Sequence, residues 1–231
     1  MQRAFGHQSR SRQARLRAFT DDRVCGYHLA MSTAQLRESL KQRACESIDK
    51  MKHDLVGVSH DIHAHPEENF EEHFAHKRLT DAIGDNKLDV TRKAYDIDTA
   101  FDVAVGSKGT TVAVLCEYDA LPGIGHACGH NIIAAAGLGA GLALAGLAEE
   151  AGGRLRLMGT PAEEGGGGKI EMARKGAFVG VDAAMMIHPS DRELARMNAI
   201  AIQHCLAKYT GEAAHAAVSP HLGRNALDAA V

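Results

Sequence analysis

Within His126-Ala127-Cys128-Gly129-His130-Asn131 one thiol and two imidazoles fall inside five positions, directly ahead of a long Ala/Gly-rich apolar run. Thiolate sulfur and imidazole nitrogen together suit a borderline-soft cation such as zinc. The competing reading of Cys128 and His130 is plain packing. A buried cysteine is an inert small hydrophobe, and a histidine at a helix start usually serves a hydrogen bond.

Further on, Glu163-Glu164 stands in Gly159-Thr160-Pro161-Ala162-Glu163-Glu164-Gly165, between an apolar strand pattern and a glycine run. One carboxylate of such a pair can hold a metal while its neighbour takes a proton from water, whose pKa a metal lowers toward about 7. A solvated turn is the alternative. His188 directly precedes Pro189, and Glu117 and Asp119 alternate across Tyr118. Both acids face one side if the strand continues, where Asp119 can orient a ligand. The glycine run 165–168 lacks the Gly-Lys-Ser/Thr ending of a phosphate loop, since Ile170 follows Lys169. It reads instead as room for a close backbone approach at a helix start.

The elements that must carry these groups are legible in the hydrophobic periodicity. Ser32 and Gln35 form a capping box. Leu36, Leu40, Ala44, Ile48, Met51, Leu55, Val58 and Ile62 then recur at steps of three or four, so a long amphipathic helix runs to His65-Pro66. Phe70, Phe74, Leu79 and Ile83 mark a second helix, with Gly84 as its stop. Strands are expected over 88–94, 101–105, 110–116, 154–158 and 182–187. Helices are expected over about 129–150 and from the glycine run to about Lys175. Strand–helix–strand alternation predicts an α/β sheet covered on both faces, with active residues at the carboxyl ends of its strands. Asp119, Glu163-Glu164 and His188 all follow such ends. Beyond Pro189 the character changes. A polar link leads to a loosely alternating strand over 197–209 and a helix beginning at 225–231.

The net charge of -3 and the lack of aromatic-plus-basic patches exclude a nucleic-acid footprint. The run 132–148 is slightly short for a bilayer and rich in Gly and Ala, so it reads as a buried helix and no membrane partner is expected. Five scattered cysteines, Cys25, Cys45, Cys116, Cys128 and Cys205, argue against a disulfide framework and for a reducing, cytoplasmic setting. Residues 1–20 carry five arginines and no acid. They read as a disordered extension, an organellar transit peptide or an over-called start upstream of Met31.

Five segments together resemble the amidohydrolases and aminoacylase-like peptidases of metallopeptidase family twenty. They are Ile62-His63-Ala64-His65-Pro66-Glu67 with Phe70-Glu71-Glu72; Glu117-Tyr118-Asp119-Ala120-Leu121-Pro122; Gly125-His126-Ala127-Cys128-Gly129-His130-Asn131; Pro161-Ala162-Glu163-Glu164; and Ala213-Ala214-His215-Ala216-Ala217 with Gly223-Arg224-Asn225-Ala226-Leu227-Asp228-Ala229-Ala230. The match runs from about residue 35 to the end and looks most like the branch of p-aminobenzoyl-glutamate hydrolase and a related dipeptidase. The resemblance implies a zinc-peptidase-like three-layer αβα catalytic domain (incomplete) over 32–190. After the 1–31 extension and that domain, 191–231 would begin an α+β ferredoxin-like lid and dimerisation domain.

The resemblance further implies two divalent metal ions, zinc or manganese, with Cys128, His130, Glu164 and His188 as ligands. Glu163 would be general base and then acid to the leaving amine, and Asp119 would orient the cluster. His215 would polarise the scissile carbonyl or stabilise the oxyanion in the site of a second protomer, and Asn225 would position substrate. The reaction would be hydrolysis of a small-molecule amide or dipeptide, in a homodimer joined through the lid. The family's returning segment, which carries a last His ligand, finds no counterpart: His204, His215 and His221 fall in the lid part. The chain is therefore expected to be truncated. The second reading is a catalytically inactive fragment that acts at most as an interaction or dimerisation module. A thiol redox protein built on Cys128 is disfavoured, because no resolving cysteine stands at Cys-x-x-Cys spacing.

Overall fold

A computed structural model of the protein describes residues 32–195, 201 and 205–231. They divide into two units between Pro189 and Ser190. The first unit carries the elements in the order α1 (Thr33–Ala64), α2 (His73–Asp85), β1 (Thr91–Arg92), β2 (Phe101–Val105), β3 (Thr111–Cys116), α3 (His130–Ala145), α4 (Ala148–Ala151), β4 (Arg154–Gly159), α5 (Gly168–Arg174) and β5 (Ala183–Met185).

The expected capping box opens α1: Ser32 Oγ accepts from Gln35 N, and Gln35 Oε1 accepts from Ser32 N. The sheet order is β1-β2-β4-β3-β5. β3 runs parallel to β4 and to β5, with Cys116 opposite Gly159 and Val114 opposite Met185. β2 and β1 run antiparallel at the other side, so the sheet is mixed. Side chains alternate between two cores, as the pleat requires. Val114, Cys116, Leu155 and Leu157 meet Val58 and Ile62 of α1, Leu79 and Ile83 of α2 and Leu138 of α3. Ala113, Leu115 and Met158 meet Met172 of α5 with Ile97 and Ala177. The result is a three-layer αβα unit. Gly137 lets α3 lie directly on β3: a Cβ there would stand 2.6 Å from Cys116 Sγ and 2.8 Å from the Leu115 carbonyl oxygen. No helix of the described residues is long and apolar enough to cross a membrane.

Several expected boundaries moved. The second helix begins at His73, so Phe70 lies outside it at φ 64°. The helix start is set by Glu67, whose carboxylate accepts from Phe74 N at 2.9 Å and Ala75 N at 3.1 Å. It also runs through Gly84 and stops at Asn86. Of the expected strand 88–94 only Thr91–Arg92 pairs, because Lys93 and Tyr95 turn left-handed into a short 3₁₀ turn, Ala94–Asp96.

The second unit is almost wholly exposed. No strand of a ferredoxin-like sheet occurs among its described residues. Part of the expected strand over 197–209 falls outside the described residues. Over 205–209 there is no strand, since an extended segment without a partner cannot form a ladder. The expected helix at 225–231 is one 3₁₀ turn, Leu227–Ala229, too short to offset helix nucleation. The 1–31 extension lies outside the described residues.

His76 gives the fold a pH dependence. It is buried on α2 with its ring 6.2 Å from that of Phe101, and its Nε2 has no hydrogen-bond partner. Burial lowers its pKa from 6.5, assisted by the charge of Arg92. A base whose folded pKa is depressed favours folding above its unfolded value and loses that contribution as pH falls below about 6.5. His76→Phe is expected to flatten the denaturant midpoint between pH 7 and pH 5; a variant midpoint that falls as steeply as the wild type would contradict this.

Candidate metal centre

The carboxyl ends of β3, β4 and β5 lie together at one end of the sheet, and the segments leaving them carry Asp119, Glu163-Glu164 and His188. Between β3 and α3 the chain makes a tight left-handed turn at Gly129, φ 84°. Only glycine adopts this conformation without strain, and a Cβ there would stand 2.9 Å from Pro189 Cγ. Cys128 and His130 flank that turn.

His130 opens α3 and is fully buried. Its Nδ1 is 2.9 Å from Asp119 Oδ1, while Asp119 Oδ2 accepts from Glu164 N at 2.8 Å. With the proton on Nδ1 donated to Asp119, Nε2 presents a lone pair. That nitrogen faces three carboxylates: Glu164 Oε1 at 3.5 Å, Glu117 Oε2 at 3.6 Å and Glu163 Oε2 at 3.8 Å. It has no hydrogen-bond partner, and neither has Glu164 Oε1. On the other side, Cys128 Sγ is 3.7 Å from His188 Nε2, and His188 Nδ1 donates to the Pro189 carbonyl at 2.7 Å. Donor atoms of Cys128, His130 and His188 lie within 4.8 Å of one another, and so do those of Glu117, His130 and Glu163. His130 belongs to both groups.

The electrostatics match a place built for positive charge. Burial, and behind it the Glu164 carboxylate, pushes the Cys128 thiol up to about 12. Burial opposes ionisation of Asp119, yet the hydrogen bonds from His130 and Glu164 N hold its carboxyl below the usual 3.8. Burial likewise disfavours His130 as a cation, but Asp119, Glu117 and Glu164 raise its pKa above 6.5. A cation among these groups would reverse the penalty on the thiolate and satisfy the orphaned nitrogen. The donor set, sulfur with imidazole and carboxylate, fits a divalent transition metal.

Of the paired carboxylates, Glu163 is the open one, 42% exposed against 17% for Glu164. Burial and the charge of Glu117 raise its pKa, with Lys169 acting the other way. Lys169 forms an ion pair with the buried Glu117. Sequence reasoning gave neither residue a role. The alternation of Glu117 with Asp119 was the available signal for the first; the charge at the end of the glycine run was the signal for the second. His215 and Asn225 belong to the second unit. There His215 Nδ1 accepts from Val218 N at 3.2 Å, and Asn225 accepts from Leu227 N at 3.1 Å and donates to Asp228 at 2.6 Å.

The description "Peptidase family M20/M25/M40" fits residues 96–229. The chain is 41% identical over 214 residues to the Xaa-Arg dipeptidase of Mus musculus, covering 87% of this chain and 50% of that protein. It is 36% identical over 210 residues to a p-aminobenzoyl-glutamate hydrolase component of Escherichia coli, covering 80% of this chain and 42% of that protein. Among solved structures, an aminohydrolase of methicillin-resistant Staphylococcus aureus superposes with a TM-score of 0.55 at 25% identity, covering 62% of this chain and 41% of that one. A dinuclear metal-binding peptidase of Bacillus subtilis superposes with a TM-score of 0.54 at 24% identity, over 59% of this chain and 42% of that one. The chain spans about half the length of the curated relatives it matches.

Proposed function

Because this chain belongs to peptidase family M20/M25/M40, we propose that it serves as a metal-dependent amidohydrolase or dipeptidase, using water to cleave the amide bond of an N-acyl amino acid or dipeptide. The observation that carries this reading is the buried, unpartnered Nε2 of His130, aimed at carboxylates beside the Cys128–His188 pair. Cys128, His130, Glu164 and His188 would hold zinc or manganese, which supplies the positive charge that makes water acidic and polarises a carbonyl. We propose a count of two ions, of which the Cys128, His130 and His188 group would hold one.

The residues divide the remaining work. Asp119 fixes the His130 tautomer through Nδ1 and steadies the Glu164 backbone through its other oxygen. Glu163, open to solvent and shifted upward, accepts the proton of the attacking water and returns it to the leaving amine. His215 would act on the scissile carbonyl or the oxyanion of a second protomer's substrate, and Asn225 would position the substrate. Residues 32–190 would form the catalytic domain and 191–231 would lead into a lid through which two copies pair. We place the protein in the cytoplasm, in keeping with scattered cysteines that remain free where described. The names of the relatives point to dipeptides ending in arginine and to p-aminobenzoyl-glutamate as first substrates.

The test is metal analysis of the purified chain with a panel of dipeptides, p-aminobenzoyl-glutamate and N-acyl amino acids. One to two equivalents of zinc or manganese and turnover abolished by chelation are expected. A chain that binds no divalent metal at micromolar concentration would overturn the reading. Metal binding without turnover would favour the non-catalytic interaction module.

A further inference from the structure

We infer that Glu72 is a positioning residue: its buried carboxylate ties down the backbone at Ala162 and so aims the Glu163-Glu164 pair at His130. The inference rests on the proposed metal centre for its functional meaning, but its geometry stands apart. Glu72 is fully buried, and its Oε1 accepts from Ala162 N at 2.8 Å. That bond spans 90 positions of sequence and enters the turn one residue before the open carboxylate.

The turn needs such a hold. Ala162 has φ 56°, left-handed for a residue that is not glycine, which costs of order 1 kcal/mol and persists only where the surroundings enforce it. Pro161 precedes it and supplies no N–H of its own. The stretch that carries Glu72 also touches the same turn elsewhere. A Cβ on Gly166 would stand 2.5 Å from the Phe70 ring, and one on Gly165 would stand 2.6 Å from the Asn69 amide. The same stretch reaches the neighbouring strand end, where the Glu67 carbonyl accepts from Ala120 N at 2.7 Å, next to Asp119. Residues 67–72 therefore bind both strand ends that supply acids to the centre.

A carboxylate with no cation beside it is a costly way to hold one amide, as the second oxygen of Glu72 has no hydrogen-bond partner. Burial raises its pKa from 4.5, against the hydrogen bonds that lower it. What holds Ala162 N is the acceptor oxygen 2.8 Å away. Glutamine keeps that oxygen. Methionine keeps the volume and loses it.

The experiment compares Glu72→Gln with Glu72→Met by cobalt titration and by amide hydrogen exchange at residues 162–164. Glu72→Met is expected to weaken cobalt binding ten- to a hundredfold, the usual effect of losing a partner behind a ligand, and to speed Ala162 exchange at least tenfold. Glu72→Gln should stay within about threefold of the wild type on both, in line with a retained acceptor. Equal impairment of the two variants, or wild-type behaviour of Glu72→Met, overturns the inference. If the wild type binds no cobalt, the metal centre fails while the exchange comparison still decides the role of Glu72. If Glu72→Met does not fold, wild-type exchange decides: the Ala162 amide must exchange far more slowly than those of Gly165 and Gly166, and equal rates overturn the inference.

Discussion

Glu163→Gln is expected to lower turnover by about 10²–10⁴-fold while the metal content stays as in the wild type. The two carboxylates of the pair sit in different surroundings. Glu164 is the more enclosed, its backbone N–H is bound to Asp119, and its Oε1 approaches His130 Nε2 at 3.5 Å. Glu163 is the more open and stands slightly farther off. Its raised pKa, from burial and the nearby Glu117 charge, moves it toward the operating range of a general base. Glutamine matches its shape and cannot take a proton, so the loss should fall on kcat. Glu164→Gln should instead lose metal. Turnover and metal content measured on the same preparation separate the two. Glu163→Gln turning over within threefold of the wild type would move the base to another group.

His130→Ala is expected to do two things at once: abolish metal binding and destabilise the metal-free protein by about 3–5 kcal/mol, the cost of breaking a buried pair from one side. His130 and Asp119 are each at most 1% exposed as side chains and 2.9 Å apart, and each shifts the other toward its charged form. Removing the imidazole leaves Asp119 buried with only the Glu164 amide. Cys128→Ala provides the contrast. Its thiol is held up to about 12 by burial and nearby carboxylates, so the metal-free protein gains nothing from it as an ion. That variant should lose metal with metal-free stability within about 1 kcal/mol of the wild type, as for other substitutions that break no buried network. Denaturant midpoints of chelated samples, set beside metal content, test both. Unchanged metal content in Cys128→Ala would remove it from the ligand set, and an unchanged midpoint in chelated His130→Ala would show that the buried pair contributes little.

Much of the first unit could be read from residue order. The capping box and three-to-four spacing located α1, and alternation with β-branched residues located β2 and β3, because these signals are local. The gathering of Asp119, Glu163-Glu164 and His188 followed from parallel strands sharing an end. What escaped was held by long-range partners. Phe70 looked like a helix residue by spacing, yet its position follows from the turn around Gly166. Glu72 sits in Glu71-Glu72 and resembles any solvated acidic pair; only the amide of Ala162, far along the chain, draws it inside. Glu117 gave a hint by alternation, but its partner Lys169 lies across two helices and a strand. The second unit was least legible: its described residues are almost wholly exposed, and neither a strand without a ladder nor a single helical turn holds itself together.

Register turns the sheet into a ruler for the centre. Cys116 opposite Gly159 fixes how far the Asp119 loop and the Glu163-Glu164 turn extend beyond the hydrogen-bonded ladder, and Val114 opposite Met185 does the same for His188. A one-residue slip would exchange the two faces of a strand and shift its loop by about 3.3 Å. Length changes should therefore be unevenly tolerated along this chain. A single insertion or deletion inside β3, β4 or β5, although it alters no acid or imidazole, would disable the site as surely as removing a ligand. The turns at the opposite end of the sheet, around 106–110 and 151–153, set no acid's position, but they pack on each other, a Cβ on Gly109 standing 2.0 Å from the Gly152 carbonyl oxygen, so a change of length there should cost stability before it costs the site.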